Sequence, residues 1–309
     1  MSSILISEFI TRQALETLQA RHAVIYEPDL YKDRPALIAA MQNIDALIVR
    51  NLTQVSEEVL AGAPQLKVVG RLGVGLENIE LPACAKRNIK VIPATGANAD
   101  SVAEYVVGAA IALTRGFIPA TISTLKGEWP RPRFSANHEF LGKTIGIVGF
   151  GSIGRVVAKK ATAFGLKCLA YDPMLSGSSV EFDGLSVPLL QLKELLAKSD
   201  AVTLHLPFLP ETKNLFDAAM LDAMKDGACL INTARGGIVD EFALADRLRS
   251  GRLGGAAIDV FQGEPAKDLN HFAGIENLIL TPHVAGVTQE SNERVSQMIA
   301  DEINRYLGA

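Results

Sequence analysis

The chain of 309 residues contains little cysteine: Cys84, Cys168 and Cys229 are the only three, and they lie far apart in the sequence. An odd number of widely spaced cysteines forms neither a disulfide framework nor a metal-ligand pattern, so we predict buried thiols in a reducing compartment and no metal site. A long uncharged apolar run and a basic leader are also missing. Their absence predicts no transmembrane helix and no export signal, and it favours a cytoplasmic location.

Positive charge is not in excess. Lysine and arginine together number 30 against 34 aspartates and glutamates, which gives a formal net charge of -4. The chain therefore has no overall basic field for binding nucleic acid or an anionic membrane, and a local cluster of cations must capture any anionic ligand. Because 48% of the residues are hydrophobic, a chain of this length can build more than one core, and we expect two domains.

Short apolar runs alternate with helix-compatible segments along the whole chain, a pattern that predicts an α/β fold with parallel sheets. Two sets of strands are predicted. The first set comprises residues 4–7, 23–26, 46–49, 67–70 and 90–92, and the second comprises residues 144–150, 167–172, 201–207, 229–234, 256–261 and 278–281. These sets are sufficient for two Rossmann-like doubly wound sheets, of which the second has the size of a dinucleotide-binding sheet.

Three further segments carry signals for helices and loops. Ser101 and Glu104 have the spacing of a capping box, which predicts that a buried helix begins there and runs to Leu113. Residues 115–140 are less regular, and the prolines that follow Trp129 predict an extended arm or loop. Residues 288–307 show helical spacing of apolar side chains and predict one closing helix.

A glycine-rich motif follows the first strand of the second set. It consists of Gly149, Phe150, Gly151, Ser152, Ile153 and Gly154. In this strand-turn-helix context we expect Gly149 to permit the tight turn, Gly151 to admit a pyrophosphate, and Gly154 to let the helix pack closely on the strand. Because glycine turns also occur for purely structural reasons, the motif becomes informative through its context.

Asp172 supports this interpretation. It ends the next predicted strand at 172 minus 149, or 23, positions after the first glycine, close to the roughly 20 at which an acidic residue accepts hydrogen bonds from the adenosine ribose. A carboxylate there would repel a 2′-phosphate, and Pro173 and Met174 supply no compensating cation. We therefore predict NAD rather than NADP, although a solvated aspartate at a strand end is the simpler alternative for Asp172 alone.

Three polar residues follow late strands of the second set: Arg235, Glu264 and His283. Because the carboxyl ends of parallel strands border the ligand crevice, an arginine, a carboxylate and a histidine can converge there. Taken singly, each also has a structural explanation: the arginine can cap a helix, the glutamate can end a strand, and the histidine can be part of a core.

Together these segments resemble the D-isomer-specific 2-hydroxyacid dehydrogenase family. The resemblance covers nearly the whole chain and includes residues 70–78, 101–104 and 205–212. It implies that residues 1–97 and 287–309 form a flavodoxin-like substrate domain. Residues 98–286 would form an NAD-binding Rossmann domain inserted between interdomain helices.

The family resemblance also implies roles for the site residues. His283 would exchange a proton with the substrate oxygen, Glu264 would hold the imidazole, and Arg235 would bind the substrate carboxylate. Asp259 would orient the nicotinamide amide. Other implied cofactor contacts are Pro173, His205, Leu206, Pro207, Thr212, Thr233, Ala234, Ala285 and Gly286, and implied substrate contacts are Arg50, Asn51, Leu52, Gly73, Val74 and Gly75. Arg235 and His283 would contact both the cofactor and the substrate.

The substrate side chain is a separate question. Arg50, Arg71, Arg131 and Arg133 are candidate partners for a second anionic group, with ion-paired or solvated surface roles as the alternative. Residues 4–8, 46–51, 127–131 and 283–294 resemble the sulfolactate dehydrogenase branch of the family, which interconverts (S)-3-sulfolactate and sulfopyruvate.

Four alternatives remain open at this point. A 3-phosphoglycerate or a glycerate/hydroxypyruvate dehydrogenase would use the same site. Formate dehydrogenase shares the fold but resembles this chain less, because it has Gln where this chain has Glu264. A co-repressor relative would use NAD to control partner binding rather than turnover. Family precedent and the arm at residues 115–140 favour a homodimer.

Overall fold

The computed structural model describes residues 1–308, which divide into two compact units. Unit 1 comprises Met1–Asn98 and the segment that begins at Val287, and unit 2 comprises Ala99–Gly286. The boundary between the units after Asn98 lies one residue later than the boundary predicted after residue 97. The assignment of substrate binding to one unit and NAD binding to the other stays a prediction.

Unit 1 contains five strands and five helices. The strands are β1 (Ser3–Ile6), β2 (Ala23–Tyr26), β3 (Ala46–Val49), β4 (Val68–Arg71) and β5 (Lys90–Pro93). The helices are α1 (Arg12–Gln19), α2 (Arg34–Ala40), α3 (Glu57–Ala61), α4 (Leu81–Lys86) and the closing α12 (Gln289–Leu307), and a 3-10 turn spans Leu30–Lys32.

The sheet of unit 1 is entirely parallel, in the order β2-β1-β3-β4-β5, which is the flavodoxin-like order. Its central strands β1 and β3 are apolar and buried on both faces, because helices cover both. Leu5 and Leu47 belong to one core, whereas Ile4 and Ile48 belong to the core that also contains Ile299 of α12. Complete burial of such a side chain contributes roughly 1.5–3 kcal/mol.

Unit 2 contains the remaining elements. Its helices are α5 (Ala99–Arg115), α6 (Phe117–Leu125), α7 (Arg131–Phe134), α8 (Ser152–Ala163), α9 (Leu192–Lys198), α10 (Ala218–Asp222) and α11 (Glu241–Arg249), and a 3-10 turn spans Asn270–Phe272. Its strands are β6 (Thr144–Val148), β7 (Lys167–Tyr171), β8 (Ser179–Phe182), β9 (Leu185–Pro188), β10 (Ala201–Leu204), β11 (Cys229–Asn232), β12 (Gly255–Ile258) and β13 (Leu278–Leu280).

The large sheet of unit 2 is also parallel, in the order β13-β12-β11-β10-β6-β7. The chain leaves β6 toward β7 on one side and later returns to β10 on the other, so the topological switch point lies beside β6. These two sheets confirm the predicted fold class. Several strands end two or three residues earlier than predicted, which leaves the polar residues that follow them in loops.

The structure differs from the predicted helices in two places. Helix α5 begins at Ala99, so Ser101 lies inside the helix and is buried rather than acting as its N-cap. Packing of Ala99 in the core extends the helix beyond the local signal. Residues 115–140 contain α6 and α7 instead of an extended arm, and Pro132 is tolerated because it stands in the first turn of α7, where no intrahelical donor is lost.

The antiparallel hairpin of β8 and β9 was not predicted. Asp183 and Gly184 form its turn, and both have positive φ, 46° and 76°. An Asp-Gly pair between short runs is a hairpin signal that was available in the sequence.

Among residues 1–308, no single helix is long and apolar enough to cross a membrane, although α5 and α6, bent by 59°, pass that test of length and composition together.

Candidate active site

The glycine motif forms the turn between β6 and α8. Gly149 has φ +94°, and a Cβ there would lie 2.5 Å from the carbonyl oxygen of His205. A Cβ on Gly154 would lie 2.4 Å from the carbonyl oxygen of Gly149, whereas a Cβ on Gly151 would meet nothing within 4 Å. Gly149 and Gly154 are therefore required by the fold, and Gly151 leaves open space at the N-terminus of α8, where an anion is stabilised.

Asp172 follows β7 directly and faces the glycine turn. Its Oδ2 accepts the N–H of Phe150 at 2.8 Å, and its Oδ1 accepts the N–H of Met174 at 2.9 Å. A carboxylate oxygen can accept more than one hydrogen bond, so Asp172 both orders the turn and retains capacity for ribose hydroxyls. Pro173 and Met174 are exposed and bring no cation to this position.

The loop after β10 is ordered by His205 and Thr212. The His205 N–H donates to the carbonyl of Val148 at 2.7 Å, and its Nε2 lies 3.0 Å from Thr203 Oγ1. Burial lowers the pKa of His205 to about 3, so its ring is neutral near pH 7. Thr212 Oγ1 donates to the carbonyl of Pro207 at 2.7 Å and closes the loop.

Asn232, at the end of β11, shapes the loop that carries Arg235. Its Oδ1 accepts the N–H of Ala234 at 3.1 Å, and its Nδ2 donates to the Arg235 carbonyl at 3.1 Å. The Arg235 guanidinium donates to the Ala234 carbonyl at 2.6 Å. Between them, Thr233 Oγ1 is buried without a hydrogen-bond partner among residues 1–308. A buried hydroxyl without a partner is unfavourable, so this atom fits a position completed by a bound ligand.

Asp259 lies at the end of β12 and is fully buried. Its carboxylate accepts hydrogen bonds from Thr281 Oγ1 at 2.6 Å and from the N–H groups of Val284 and Ala285 at 2.8 and 2.9 Å. These bonds hold the loop after β13, in which His283 has the left-handed φ of 56°. A non-glycine residue in this region is strained, and the surrounding bonds must maintain it.

Glu264 and His283 form a direct pair. Glu264 Oε2 lies 2.6 Å from His283 Nδ1, and Glu264 Oε1 accepts the N–H of Phe261 at 3.0 Å. Because Nδ1 is engaged, Nε2 is the ring nitrogen available for proton exchange. Both side chains are partly open to solvent, with relative exposures of 34% for Glu264 and 48% for His283.

The three predicted catalytic residues follow adjacent strands of one parallel sheet. Arg235 follows β11, Glu264 follows β12 and His283 follows β13, so all three stand at the carboxyl edge. Two predicted cofactor residues, Ser152 and Ile153, begin α8. Others lie in loops at the same carboxyl edge of the sheet: Leu206, Ala234 and Ala285 are buried there, and Gly286 is partly buried.

In unit 1, the predicted substrate residues stand after β3 and β4. Glu8, which follows β1, is buried and accepts four backbone N–H groups: Arg50 at 2.8 Å, Asn51 at 3.2 Å, Leu52 at 3.0 Å and Thr53 at 2.9 Å. The loop of residues 50–53 therefore wraps around a buried carboxylate. The sequence motif included Glu8 but did not reveal this role, because its partners lie more than 40 positions away.

The side chain of Arg50 is fixed in the same unit. Its Nη2 donates to Oδ1 of Asn292, on α12, at 2.6 Å. Burial lowers the pKa of Arg50, opposed by the charge of Glu8. Gly73, which follows β4, has φ +152°, so this turn favours glycine, and Val74 and Gly75 continue it.

The other three arginines proposed for a second anionic group, Arg71, Arg131 and Arg133, have different contacts from Arg50. Arg133 forms an ion pair with Glu276, and both side chains are about half exposed. Arg71 donates to the carbonyl of Leu72 at 3.3 Å, and Arg131 is exposed on α7. Among residues 1–308, no group of three His, Cys, Asp or Glu side chains is placed to hold a metal ion.

The family comparison decides the class of the protein. Residues 107–285 match the family model described as the NAD binding domain of D-isomer specific 2-hydroxyacid dehydrogenases. The chain belongs to this 2-hydroxyacid dehydrogenase family. It is an NAD-dependent oxidoreductase of 2-hydroxy acids.

Two similar proteins and one solved structure illustrate the range of activities among the relatives of this chain. The chain is 46% identical to an (S)-sulfolactate dehydrogenase of Chromohalobacter salexigens, over 100% of this chain and 99% of that one. It is 36% identical to a D-3-phosphoglycerate dehydrogenase of Methanocaldococcus jannaschii over 99% of this chain, but it spans only 58% of that protein. A solved NAD-dependent formate dehydrogenase of Staphylococcus aureus, in complex with NAD, is 31% identical, with TM-score 0.81 and coverage of 99% and 96%.

Proposed function

We propose that this 2-hydroxyacid dehydrogenase interconverts (S)-3-sulfolactate and sulfopyruvate. The observation that carries the proposal is the fixed position of the Arg50 guanidinium. Arg50 stands on the loop that Glu8 orders, and its guanidinium donates to Asn292 on α12. This loop follows β3, beside β1, which is the topological switch point of the unit 1 sheet and the expected place for a ligand. A preorganised arginine fork suits a sulfonate, and the 46% identical sulfolactate dehydrogenase supports this choice.

We assign the proton exchange to His283 and Glu264. The imidazole takes the hydroxyl proton of the 2-hydroxy acid during oxidation and returns it to the keto oxygen during reduction. Glu264, 2.6 Å from Nδ1, fixes the ring and stabilises its protonated form. Arg235 binds the carboxylate of the substrate and polarises the oxygen at C2.

NAD, when bound, supplies the acceptor or donor of the hydride at C2. The open turn at Gly151 and the N-terminus of α8 would hold its pyrophosphate, and Asp172 would hold the adenosine ribose. The buried, unpartnered hydroxyl of Thr233 is a further position suited to a cofactor polar group. Asp259 would orient the nicotinamide amide in addition to holding its three donors.

A substrate panel tests the proposal. We expect the highest kcat/KM for sulfopyruvate among sulfopyruvate, 3-phosphohydroxypyruvate, hydroxypyruvate and glyoxylate, each with NADH and NADPH. Arg50→Met should reduce kcat/KM for sulfopyruvate by about 100-fold, because a charge-assisted pair is worth about 1.5–3 kcal/mol, while glyoxylate reduction changes little. A clear preference for hydroxypyruvate or glyoxylate would overturn the sulfolactate assignment.

The second candidate is 3-phosphoglycerate, because the fork of Arg50 also suits a phosphate and a phosphoglycerate dehydrogenase is 36% identical. The same panel separates the two through 3-phosphohydroxypyruvate.

We also propose a cytoplasmic homodimer in which unit 1 binds the substrate and unit 2 binds NAD. Leu125 and Trp129 support the dimer because they expose 83% and 78% of their surface only four positions apart in the chain, and a contiguous exposed apolar patch marks an association surface. Sedimentation of the purified chain should give twice the monomer mass, and a monomer at micromolar concentration would contradict this.

A further inference from the structure

A second carboxylate-histidine pair lies beside the loop that carries Glu264. Glu241 is the first residue of α11, and its Oε2 lies 3.0 Å from His271 Nε2. The two side chains retain only 13% and 12% of their exposure. Glu241 Oε1 accepts the N–H of Gln262 at 2.9 Å, so the pair is attached to the backbone of the loop after β12.

The two pairs hold consecutive amides of one turn. The N–H of Phe261 donates to Glu264, which bonds His283, and the next N–H, of Gln262, donates to Glu241, which bonds His271. The turn of residues 261–264 is thus held on both sides by carboxylates. One of them belongs to the proton-exchange pair, and the other has no part in it.

Packing supports the rest of this loop poorly. Residues 262–268 are exposed, and a cavity of about 470 Å³ is lined by Glu241 and residues 261–269. Phe261 is buried and anchors the start of the loop. The direction of Glu264 therefore depends on the hydrogen bonds at residues 261 and 262 more than on side-chain contacts.

Glu241, in contrast, bonds a histidine that has several contacts of its own. The His271 ring contacts the rings of Phe242 and Phe272, with ring centroids at 4.7 and 4.3 Å, and Arg249 of α11 donates to the His271 carbonyl. The Asp240 side chain caps α11 through the N–H groups of Phe242 and Ala243. The carboxylate of Glu241 is therefore held by α11 and His271, and it in turn holds the exposed turn through the Gln262 N–H.

We propose that Glu241 is a positioning residue for the reaction. It fixes the 261–264 turn so that Glu264 stays within hydrogen-bond distance of His283, and His271 in turn fixes Glu241. This inference rests on the proposed roles of Glu264 and His283.

Kinetics of Glu241→Ala and Glu241→Gln test the proposal. Glu241→Ala should lower kcat about tenfold and should move the pH of half-maximal kcat/KM to lower values, because a displaced Glu264 no longer stabilises the protonated imidazole. The Kd of NADH should stay within about twofold. Glu241→Gln keeps an acceptor for the Gln262 N–H and should restore most of the turnover.

Asp222→Ala is the matched control. It removes the ion pair with Arg247, which lies on α11 as Glu241 does, and it does not touch the turn of residues 261–264. It should leave the pH profile unchanged. In a Glu264→Gln background, Glu241→Ala should lower kcat only slightly further, since the group that Glu241 positions is already altered.

Two results with Glu241→Ala overturn the inference alone. If Glu241→Ala lowers thermal stability or kcat without moving the pH profile, or if its effect is fully additive with Glu264→Gln, then Glu241 has only a structural role. Near-normal turnover of His283→Ala would instead overturn the proposed function, and the inference with it.

Discussion

Buried or partly buried carboxylates shape the loops at the strand ends of this protein. Glu8 accepts four backbone amides, Asp259 accepts two amides and a hydroxyl, and Glu264 accepts one amide beside its histidine. Hydrogen bonds to an ionised carboxylate are roughly twice as strong as neutral ones. At the scale of single residues, these loops are therefore ordered by charge-assisted bonds within the protein.

The first prediction concerns His283. His283→Ala should lower kcat by about 100- to 10,000-fold, the typical contribution of a general acid/base, because the reaction loses its proton carrier. The Kd of NADH, measured by fluorescence titration, should change little. Glu264→Gln should give a smaller loss, since an uncharged amide still reaches the ring but stabilises the protonated form less. Turnover of His283→Ala near that of the unaltered enzyme would remove this residue from the acid/base role.

The second prediction concerns Glu8. Glu8→Gln turns one acceptor into a donor that faces backbone N–H groups, so we expect a loss of about 1–3 kcal/mol in the free energy of unfolding. Because Arg50 stands on the same loop, kcat/KM for sulfopyruvate should fall about tenfold more than that for glyoxylate. Glu16→Gln, on the exposed side of α1, is the control and should alter neither quantity. Equal losses for both substrates would show that Glu8 supports stability alone.

At this scale the sequence predicted which polar residues stand at the carboxyl edge of the second sheet. Arg235, Glu264 and His283 are recognisable because each follows an apolar strand run, and Asp172 because of its distance from the glycines. Their roles remain predictions. The contacts of Glu241 with His271 could not be predicted, because the two residues are 30 positions apart and meet only when α11 packs against the 3-10 turn at Asn270–Phe272.

At the scale of elements, the turn between β6 and α8 contains glycines that the fold requires and one, Gly151, that it does not. A Cβ on Gly154 would collide with the carbonyl of Gly149, whereas a Cβ on Gly151 would meet nothing. The same motif therefore contains glycines that have no space for a side chain and one that has space, and the sequence pattern alone cannot distinguish them.

The third prediction uses this difference. Gly154→Ala should lower the free energy of unfolding by about 1–3 kcal/mol, because α8 must move away from β6. Gly151→Ala should leave the melting temperature unchanged but weaken NAD binding by about tenfold or more, because the added methyl group occupies the space left for a pyrophosphate. Differential scanning fluorimetry and NADH titration measure the two effects. Unchanged NADH affinity in Gly151→Ala would contradict the placement of the pyrophosphate.

Element boundaries were less predictable than element types. Every predicted strand exists, because runs of buried apolar residues are a strong signal for parallel strands. The start of α5 was wrong because burial of Ala99 extends the helix past its capping pattern. Helix α7 was missed because prolines argue against helices in general, although they are tolerated in a first turn.

At the scale of the whole molecule, burial and hydrogen bonding of titratable groups make the stability of the folded protein depend on pH. Burial lowers the pKa of His205 from 6.5 to about 3. A hydrogen bond from the Ser3 N–H, reinforced by Lys67, lowers the pKa of Asp45, against the opposing effect of burial. In both cases the unfolded chain binds protons more readily than the folded chain, so stability falls with falling pH.

The fourth prediction follows from this linkage. For His205 the stabilisation is complete above pH 6.5, the unfolded value, and is lost as the pH falls toward about 3. The melting temperature of the NAD-free protein should therefore decrease from pH 7 to pH 4, and less steeply in His205→Asn. A His205 ring that titrates near pH 6.5 in NMR spectra would contradict the prediction.

The sequence by itself determined the fold class, the glycine-rich turn and the family, because these depend on local apolar runs and on short motifs whose residues are neighbours in the chain. Only the tertiary structure showed which side chains hold the candidate arginines. Arg50 meets Asn292 across 242 positions, whereas Arg133 pairs with Glu276 across 143 positions. Such pairs form when helices and strands pack, and no local propensity encodes the packing that brings their side chains together.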